Sequence, residues 1–124
     1  MNISLRSVNN HDIETLQQLN NEVFLDNYKY DKDLIIDWAL GEQGKKYFSR
    51  IVHNKQVFCC IAEDNKKAVG YISCKSKKII YCKSKYFEID NMGIISDYRS
   101  KGIGTLLIKK AKEWAKKIDI KKCS

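Results

Sequence analysis

Apolar side chains in the N-terminal part of the chain follow the spacing first of a strand and then of a helix. Apolar and polar residues alternate over residues 3–8, which predicts a half-buried strand. Over residues 13–24 apolar side chains recur every three or four positions, which predicts a helix that Asp12 would cap. A second short helix is predicted from about Asp31, ending at a glycine. The glycines available for that ending are Gly41 and Gly44.

The centre of the chain is typical of two paired strands. Residues 57–62 form a continuous apolar run of strand length, residues 63–67 are polar, and residues 68–74 return as a second strand. The basic segment 75–85 is harder to place. Its apolar residues 79–81 either extend the second strand or lie in the loop that follows it, and the pattern leaves both interpretations open.

Farther along, the apolar spacing changes from a strand period to a helix period across a short turn with two glycines. Residues 86–95 predict another strand, and residues 103–117 predict a long helix. Between them stands Arg99-Ser100-Lys101-Gly102-Ile103-Gly104. Glycines allow the backbone to approach a ligand closely, and the first turn of a helix presents unpaired N–H groups at the positive end of its dipole. The turn therefore predicts an anion site.

Composition agrees with one α/β domain over residues 1–124, with the element order strand, helix, helix, three strands, helix. No apolar run approaches the roughly 18 to 20 residues of a membrane span, so we expect no membrane association. The first six residues have no apolar core of signal-peptide length, and we expect a cytoplasmic protein. The five cysteines form no Cys-x-x-Cys pair, and we expect reduced thiols and no metal site.

The net charge of +8 is unevenly distributed. Residues 1–48 contain five Lys/Arg and eight Asp/Glu, and the remainder contains eighteen and seven. A basic half suits a polyanion such as a nucleotide cofactor, and an acidic half suits a cation, although a lysine-rich solvated surface explains the same numbers. Basic and aromatic residues are not interleaved as in a nucleic-acid surface, so we expect no nucleic-acid partner.

The glycine turn differs from two common phosphate-binding loops. A P-loop requires Gly-x-x-x-x-Gly-Lys-Ser/Thr, which the chain lacks. A dinucleotide-binding loop requires Gly-x-Gly-x-x-Gly, and here Leu107 occupies the place of the third glycine. Both interpretations are therefore excluded.

The turn instead resembles motif A of the GCN5-related N-acetyltransferase (GNAT) family, Gln/Arg-x-x-Gly-x-Gly/Ala, at the junction of that family's fourth strand and third helix. Residues 89–98 resemble the fourth strand, and Trp114 falls at a common aromatic position of the helix. The resemblance implies a GNAT-like mixed, mostly antiparallel sheet flanked by helices. It also implies transfer of the acetyl group of acetyl-CoA to a primary amine.

The same resemblance implies which residues bind acetyl-CoA. The backbone amides of the motif would bind the pyrophosphate, and the main chain of the preceding strand would bind the pantetheine arm as an added strand does. The implied pyrophosphate residues are Arg99, Ser100, Lys101, Gly102, Ile103, Gly104 and Thr105. The implied pantetheine residues are Met92 and Ile94.

Two carboxylates are the catalytic candidates. Acetyl transfer needs a neutral amine, so a base must accept a proton. Glu88 stands eleven residues before Arg99, the position of the glutamate base in the histone acetyltransferase branch of the family. Asp90 is expected on the same face two residues later, where it could relay the proton. Alternatively, both are surface charges paired with Lys83 or Lys85.

The resemblance stops after the third helix. The family fold continues with a fifth strand, a fourth helix and a hairpin, and the fourth helix usually carries a tyrosine that acts as general acid. We therefore predict a GNAT-like domain truncated after its third helix. Two hypotheses follow: an acetyltransferase, or a CoA-binding module without catalysis. In either, a second copy could pair with the unpaired sheet edge. Acidic residues near the first two helices favour a cationic acceptor, either a small molecule or a peptide.

Overall fold

The computed structural model describes residues 1–28, 37–78 and 85–123. Its strands and helices follow one another in the predicted order. Predictions for residues 29–36 and 79–84, including the start of the second helix, lie outside the described residues. The elements are β1 (Ile3–Ser7), α1 (Ile13–Tyr28), α2 (Glu42–His53), β2 (Val57–Asp64), β3 (Lys67–Lys78), β4 (Lys85–Ile94) and α3 (Ile103–Cys123).

The four strands form one antiparallel sheet in the order β1-β2-β3-β4, with helices on both faces. On one face, Tyr71 of β3 packs edge-on against Phe48 of α2, with ring centroids 6.4 Å apart. On the other face, Phe58 of β2 stacks on Trp114 of α3 at 5.6 Å. Because helices cover both sides of β2, its side chains are buried in succession, which explains its continuous apolar run.

The predicted hairpin between β2 and β3 is confirmed. Asp64 pairs with Lys67, and the two residues between them, Asn65 and Lys66, have φ values of 48° and 73°. Two consecutive residues with positive φ form the turn whose twist matches that of the flanking strands. The hairpin therefore turns through the two-residue loop that antiparallel strands favour.

Gly41 ends the described turn of the predicted second helix, since it is the C-cap of the short helical turn Trp38–Leu40, whereas the alternative end at Gly44 is wrong. Gly41 immediately precedes α2, and Gly44 lies within its first turn. A Cβ at Gly44 would stand 2.3 Å from the carbonyl oxygen of Ala39. The glycine allows α2 to pack against the preceding turn (Trp38–Leu40), and it does not end a helix.

Asp12 is not the cap of α1. Asn9 caps a short turn before the helix by accepting the His11 N–H, while the Asp12 carboxylate accepts the Asn9 N–H. Both Asp12 oxygens also accept hydrogen bonds of 2.8 Å from the Arg6 guanidinium, which also reaches Glu63. The hydrogen bonds from Arg6 hold the pKa of Asp12 below its usual value. Asp12 thus ties the start of α1 to β1.

Three cysteines, Cys59, Cys60 and Cys74, are free and buried in the core, as the sequence predicts. Burial raises the pKa of the Cys59 thiol to about 12 and that of Cys74 to about 11, so both are protonated at neutral pH. Within the described ranges, no helix is both long and apolar enough to cross a membrane.

We expect Gly93→Ala to destabilise the fold, because the added Cβ would lie 2.8 Å from Val23 Cγ2 and 3.0 Å from the Tyr71 ring. Overpacking of this kind costs about 1 to 3 kcal/mol. Gly104→Ala is the matched control, since its Cβ would meet only Ile94 Cδ1 at 3.4 Å and alanine favours a helix. Urea unfolding measures both changes. Equal midpoints for the two variants would contradict the packing described at Gly93.

Candidate functional site

The last strand of the sheet, β4, has a side that no described strand covers. The Ile95 N–H donates to the Val69 carbonyl oxygen at 3.0 Å, continuing the β3–β4 ladder by one pair. Hydrogen-bonded and non-hydrogen-bonded pairs alternate along an antiparallel ladder, so Gly93 also bonds to β3. The main-chain N–H and C=O groups of Met92 and Ile94 therefore point to the uncovered edge.

A turn tightly connected to the end of β4 leads into α3. The Tyr98 N–H donates to the Ile95 carbonyl oxygen at 3.0 Å, and the Arg99 side chain donates from Nε to the Ile94 carbonyl oxygen at 3.1 Å. Ser100 and Gly102 both have positive φ values, 61° and 83°. Arg99 thus uses its side chain to hold the glycine turn against the strand edge.

The start of α3 exposes main-chain donors. The hydrogen bond that opens the helix runs from the Leu106 N–H to the Gly102 carbonyl oxygen at 3.2 Å. The N–H groups of Ile103, Gly104 and Thr105 precede it and have no acceptor within the helix. A Cβ at Gly102 would meet no atom within 4 Å, so the space beside Gly102 at the start of the helix is open.

Positive charge lies beside the same turn. The ammonium groups of Lys67 and Lys101 stand 5.8 and 6.0 Å from the centre of the Tyr98 ring. The Tyr98 hydroxyl donates to Asp64 at 2.8 Å, which connects the turn to the β2–β3 hairpin. Exposed helix donors, a helix dipole and two ammonium groups together favour a phosphate or diphosphate.

A change of register places Asp90 in an unusual position on β4. Ser73 pairs with Asn91 and the next residue, Cys74, pairs with Ile89, so Asp90 has no residue opposite it, as in a β-bulge. Its carboxylate accepts a hydrogen bond of 2.7 Å from the Tyr47 hydroxyl of α2.

Tyr47 is half-buried. Burial and the Asp90 carboxylate raise its pKa well above the usual value, so its hydroxyl keeps its proton.

The second catalytic candidate, Glu88, lies farther along β4. It is exposed and stands opposite Lys75 in the register. Of its predicted alternative partners, Lys83 lies outside the described residues, and nothing is described of the side chain of Lys85.

A buried polar chain lies behind the bulge, and the sequence contains no signal for it. Asn20 of α1 donates from Nδ2 to the Tyr71 hydroxyl at 2.7 Å, and that hydroxyl donates to Asn91 Oδ1 at 2.8 Å. Asn20 and Tyr71 are each only 1% exposed. Their bonds fix Asn91, the neighbour of Asp90, to the face that carries α1 and α2.

Residues 13–124 match the sequence model of the Acetyltransferase (GNAT) family. The chain belongs to this family. The predicted resemblance is thereby confirmed, as is a sheet flanked by helices with a strand-to-helix junction at motif A.

Other GNAT proteins resemble the chain in sequence or in fold. An uncharacterised N-acetyltransferase of Methanocaldococcus jannaschii is 30% identical over 117 residues, covering 92% of this chain and 48% of its own length. A PaiA N-acetyltransferase of Thermoplasma acidophilum, solved with coenzyme A, is 24% identical with a TM-score of 0.71, covering 94% and 74% of the two chains. A GNAT acetyltransferase of Staphylococcus aureus is 23% identical with a TM-score of 0.69, covering 96% and 82%.

The chain spans about half the length of the curated relatives that it matches. Its fold agrees with that of the solved GNAT structures. Because their sequence identity to this chain is low, the agreement concerns the fold alone. Among the described residues, no three His, Cys, Asp or Glu side chains are grouped as metal ligands would be.

A separate cavity of about 410 Å³ lies between α2, β2 and the second half of α3. Phe58 and Trp114 contribute to its wall, with Lys110, Glu113 and Lys117 at its α3 side. None of its lining residues belongs to β4 or to the glycine turn.

Proposed function

We propose that this GNAT chain binds acetyl-CoA and transfers its acetyl group to a primary amine. The observation that carries the proposal is two sets of outward main-chain groups joined by one short turn. One set is at the uncovered edge of β4, with Met92 and Ile94, and the other is the donors of Ile103, Gly104 and Thr105. Two curated relatives are named as N-acetyltransferases, which supports the same reaction.

The residues present fit the two polar parts of the cofactor. The pyrophosphate would lie against the amides of residues 99–105, near Lys101, where the helix dipole and the ammonium group both favour an anion. The amide-containing pantetheine arm would pair with the main chain of Met92 and Ile94, as an added strand does. Arg99 would have to release or share the Ile94 carbonyl oxygen that it now contacts.

Acetyl-CoA supplies an acetyl group activated as a thioester. The attacking amine must first lose a proton, and Glu88 is the proposed acceptor of that proton, directly or through water. A carbon–nitrogen bond then forms and the carbon–sulfur bond breaks, and the second proton that the nitrogen loses on becoming an amide passes to the departing thiolate. The negative charge that develops on the acetyl oxygen would need a hydrogen-bond donor, and a main-chain N–H of the β4 edge is the proposed one.

The proposed acceptor is a cationic amine, either a small molecule or a peptide. Glu88 and Asp90 provide negative charge on β4, and the chain's first 48 residues are net acidic. The alternative is a CoA-binding module without catalysis, whose sheet a partner chain or a second copy would complete along β4. It predicts CoA binding with no turnover of any amine, whereas acetylation by the isolated chain would exclude it.

Calorimetry with CoA tests the proposed cofactor site. We expect saturable binding that Gly102→Val weakens by about tenfold or more, which corresponds to 1.4 kcal/mol, because a side chain would enter the open space at the start of the helix and strain the positive φ. Gly41→Ala is the control, since its Cβ would make only an ordinary contact of 3.6 Å with Trp38 O. No saturable binding to the unaltered chain, or equal affinity of the Gly102 variant, would overturn the site.

Glu88→Gln tests the proposed base. We expect kcat to fall about a hundredfold to ten-thousandfold, the usual contribution of general-base catalysis, while the affinity for CoA is unchanged. Glu113→Gln, at an exposed position on α3, controls for the loss of one negative charge. Thiol release in a screen of amines measures turnover. If the Glu88 variant were as active as the unaltered chain, Glu88 would not be the base.

A further inference from the structure

The hydrogen bond between Tyr47 and Asp90 connects α2 to the bulge of β4. Burial raises the pKa of Tyr47, so its hydroxyl keeps its proton and donates a hydrogen bond to Asp90 Oδ2. Asp90 is nevertheless exposed, and among the described residues no hydrogen bond reaches its second oxygen, Oδ1. Tyr47 therefore orients the carboxylate through Oδ2, and the carboxylate is still accessible to solvent.

The surroundings of Asp90 maintain this orientation. The Tyr47 ring packs edge-on against Trp38 at 5.5 Å and against Phe48 at 4.9 Å. Next to Asp90 along the strand, Asn91 is held by Tyr71, which is itself held by Asn20. Asp90 and its neighbour Asn91 are thus both connected to the helices on one face of the sheet.

Two further aromatic rings, those of Trp38 and Phe24, continue the ring contacts of Tyr47. Trp38 is half-buried and stacks on Phe24 of α1, with ring centroids 6.4 Å apart and planes inclined by 20°. A carboxylate beside aromatic rings favours a cation that carries an alkyl chain, because the charge pairs with the carboxylate and the rings attract both parts.

The location relates this carboxylate to the proposed reaction. Asp90 precedes Met92, one of the residues proposed to bind the pantetheine arm, by two positions, roughly 7 Å along a strand. If an acceptor amine reacts at the end of that arm, a second amino group a few carbon atoms away in the same acceptor could reach Asp90. Since Tyr47 already donates to one of its oxygens, the other oxygen of Asp90 is available to accept a hydrogen bond from an ammonium group.

We propose that Asp90 binds a second, protonated amino group of the acceptor, and that Tyr47 is the residue that positions it. This inference rests on the proposed function. It narrows the acceptor to compounds with at least two amino groups, such as alkyl diamines, of which one reacts and the other stays charged on Asp90. Glu88 then remains the base, so the two carboxylates have different tasks.

Diaminobutane and aminobutane, which differ by one ammonium group, are suitable probes. The chain has two tryptophans, and their indole N–H signals can be followed separately by NMR. Trp38 adjoins Tyr47, whereas Trp114 packs on Phe58 on the opposite face and serves as an internal control. Each amine is titrated into the full chain, both without CoA and with it.

We expect diaminobutane to shift the Trp38 signal, leave the Trp114 signal unmoved, and bind about tenfold or more tightly than aminobutane. Asp90→Asn should abolish this preference, and Tyr47→Phe should reduce it. Glu14→Gln, which removes an exposed charge from α1, should leave it intact. With turnover, Asp90→Asn should raise KM for diaminobutane with kcat changed less than about threefold.

Equal affinity for the two amines, or a preference that survives Asp90→Asn, would overturn the inference. A fall in kcat at constant KM in the Asp90 variant would also overturn it, since Asp90 would then act in proton transfer. A CoA titration of the same samples separates the two proposals. Failure to bind CoA, with the diamine preference intact, would refute the proposed reaction and leave the ammonium site in place.

Discussion

The pairing of β3 with β4 is the constraint on which the site depends. Its register, continued by the hydrogen bond from Ile95 to Val69, determines which main-chain groups of β4 bond within the sheet and which point outward. The same register brings Gly93 against Tyr71 and leaves Asp90 unmatched in the bulge. A slip of one residue would exchange the inward and outward groups and move every side chain to the other face.

The structure separates two kinds of chemistry on either side of this strand. The turn into α3 carries exposed N–H donors and lysines, which suit a phosphorylated cofactor. The side covered by α1 and α2 carries Asp90, Tyr47 and a group of aromatic rings, which suit a cation.

Much of this architecture could be predicted from local sequence, because strand and helix periods and the glycine turn are local signals. Patterns that depend on contacts distant in sequence were missed or misread. Gly44 resembles a helix end but is required by the approach of Ala39, and Asp12 resembles a cap but pairs with Arg6. The bulge at Asp90 and its bond to Tyr47, 43 residues away, have no counterpart in apolar spacing.

Acetyl-CoA binding by the main-chain groups of the β4 edge and of the start of α3 is tested most directly by a crystal structure of the chain with CoA. We expect the pyrophosphate at the amides of residues 99–105 and the pantetheine amides paired with Met92 and Ile94. CoA bound elsewhere, for example in the cavity beside Phe58 and Trp114, with the β4 edge untouched, would contradict it.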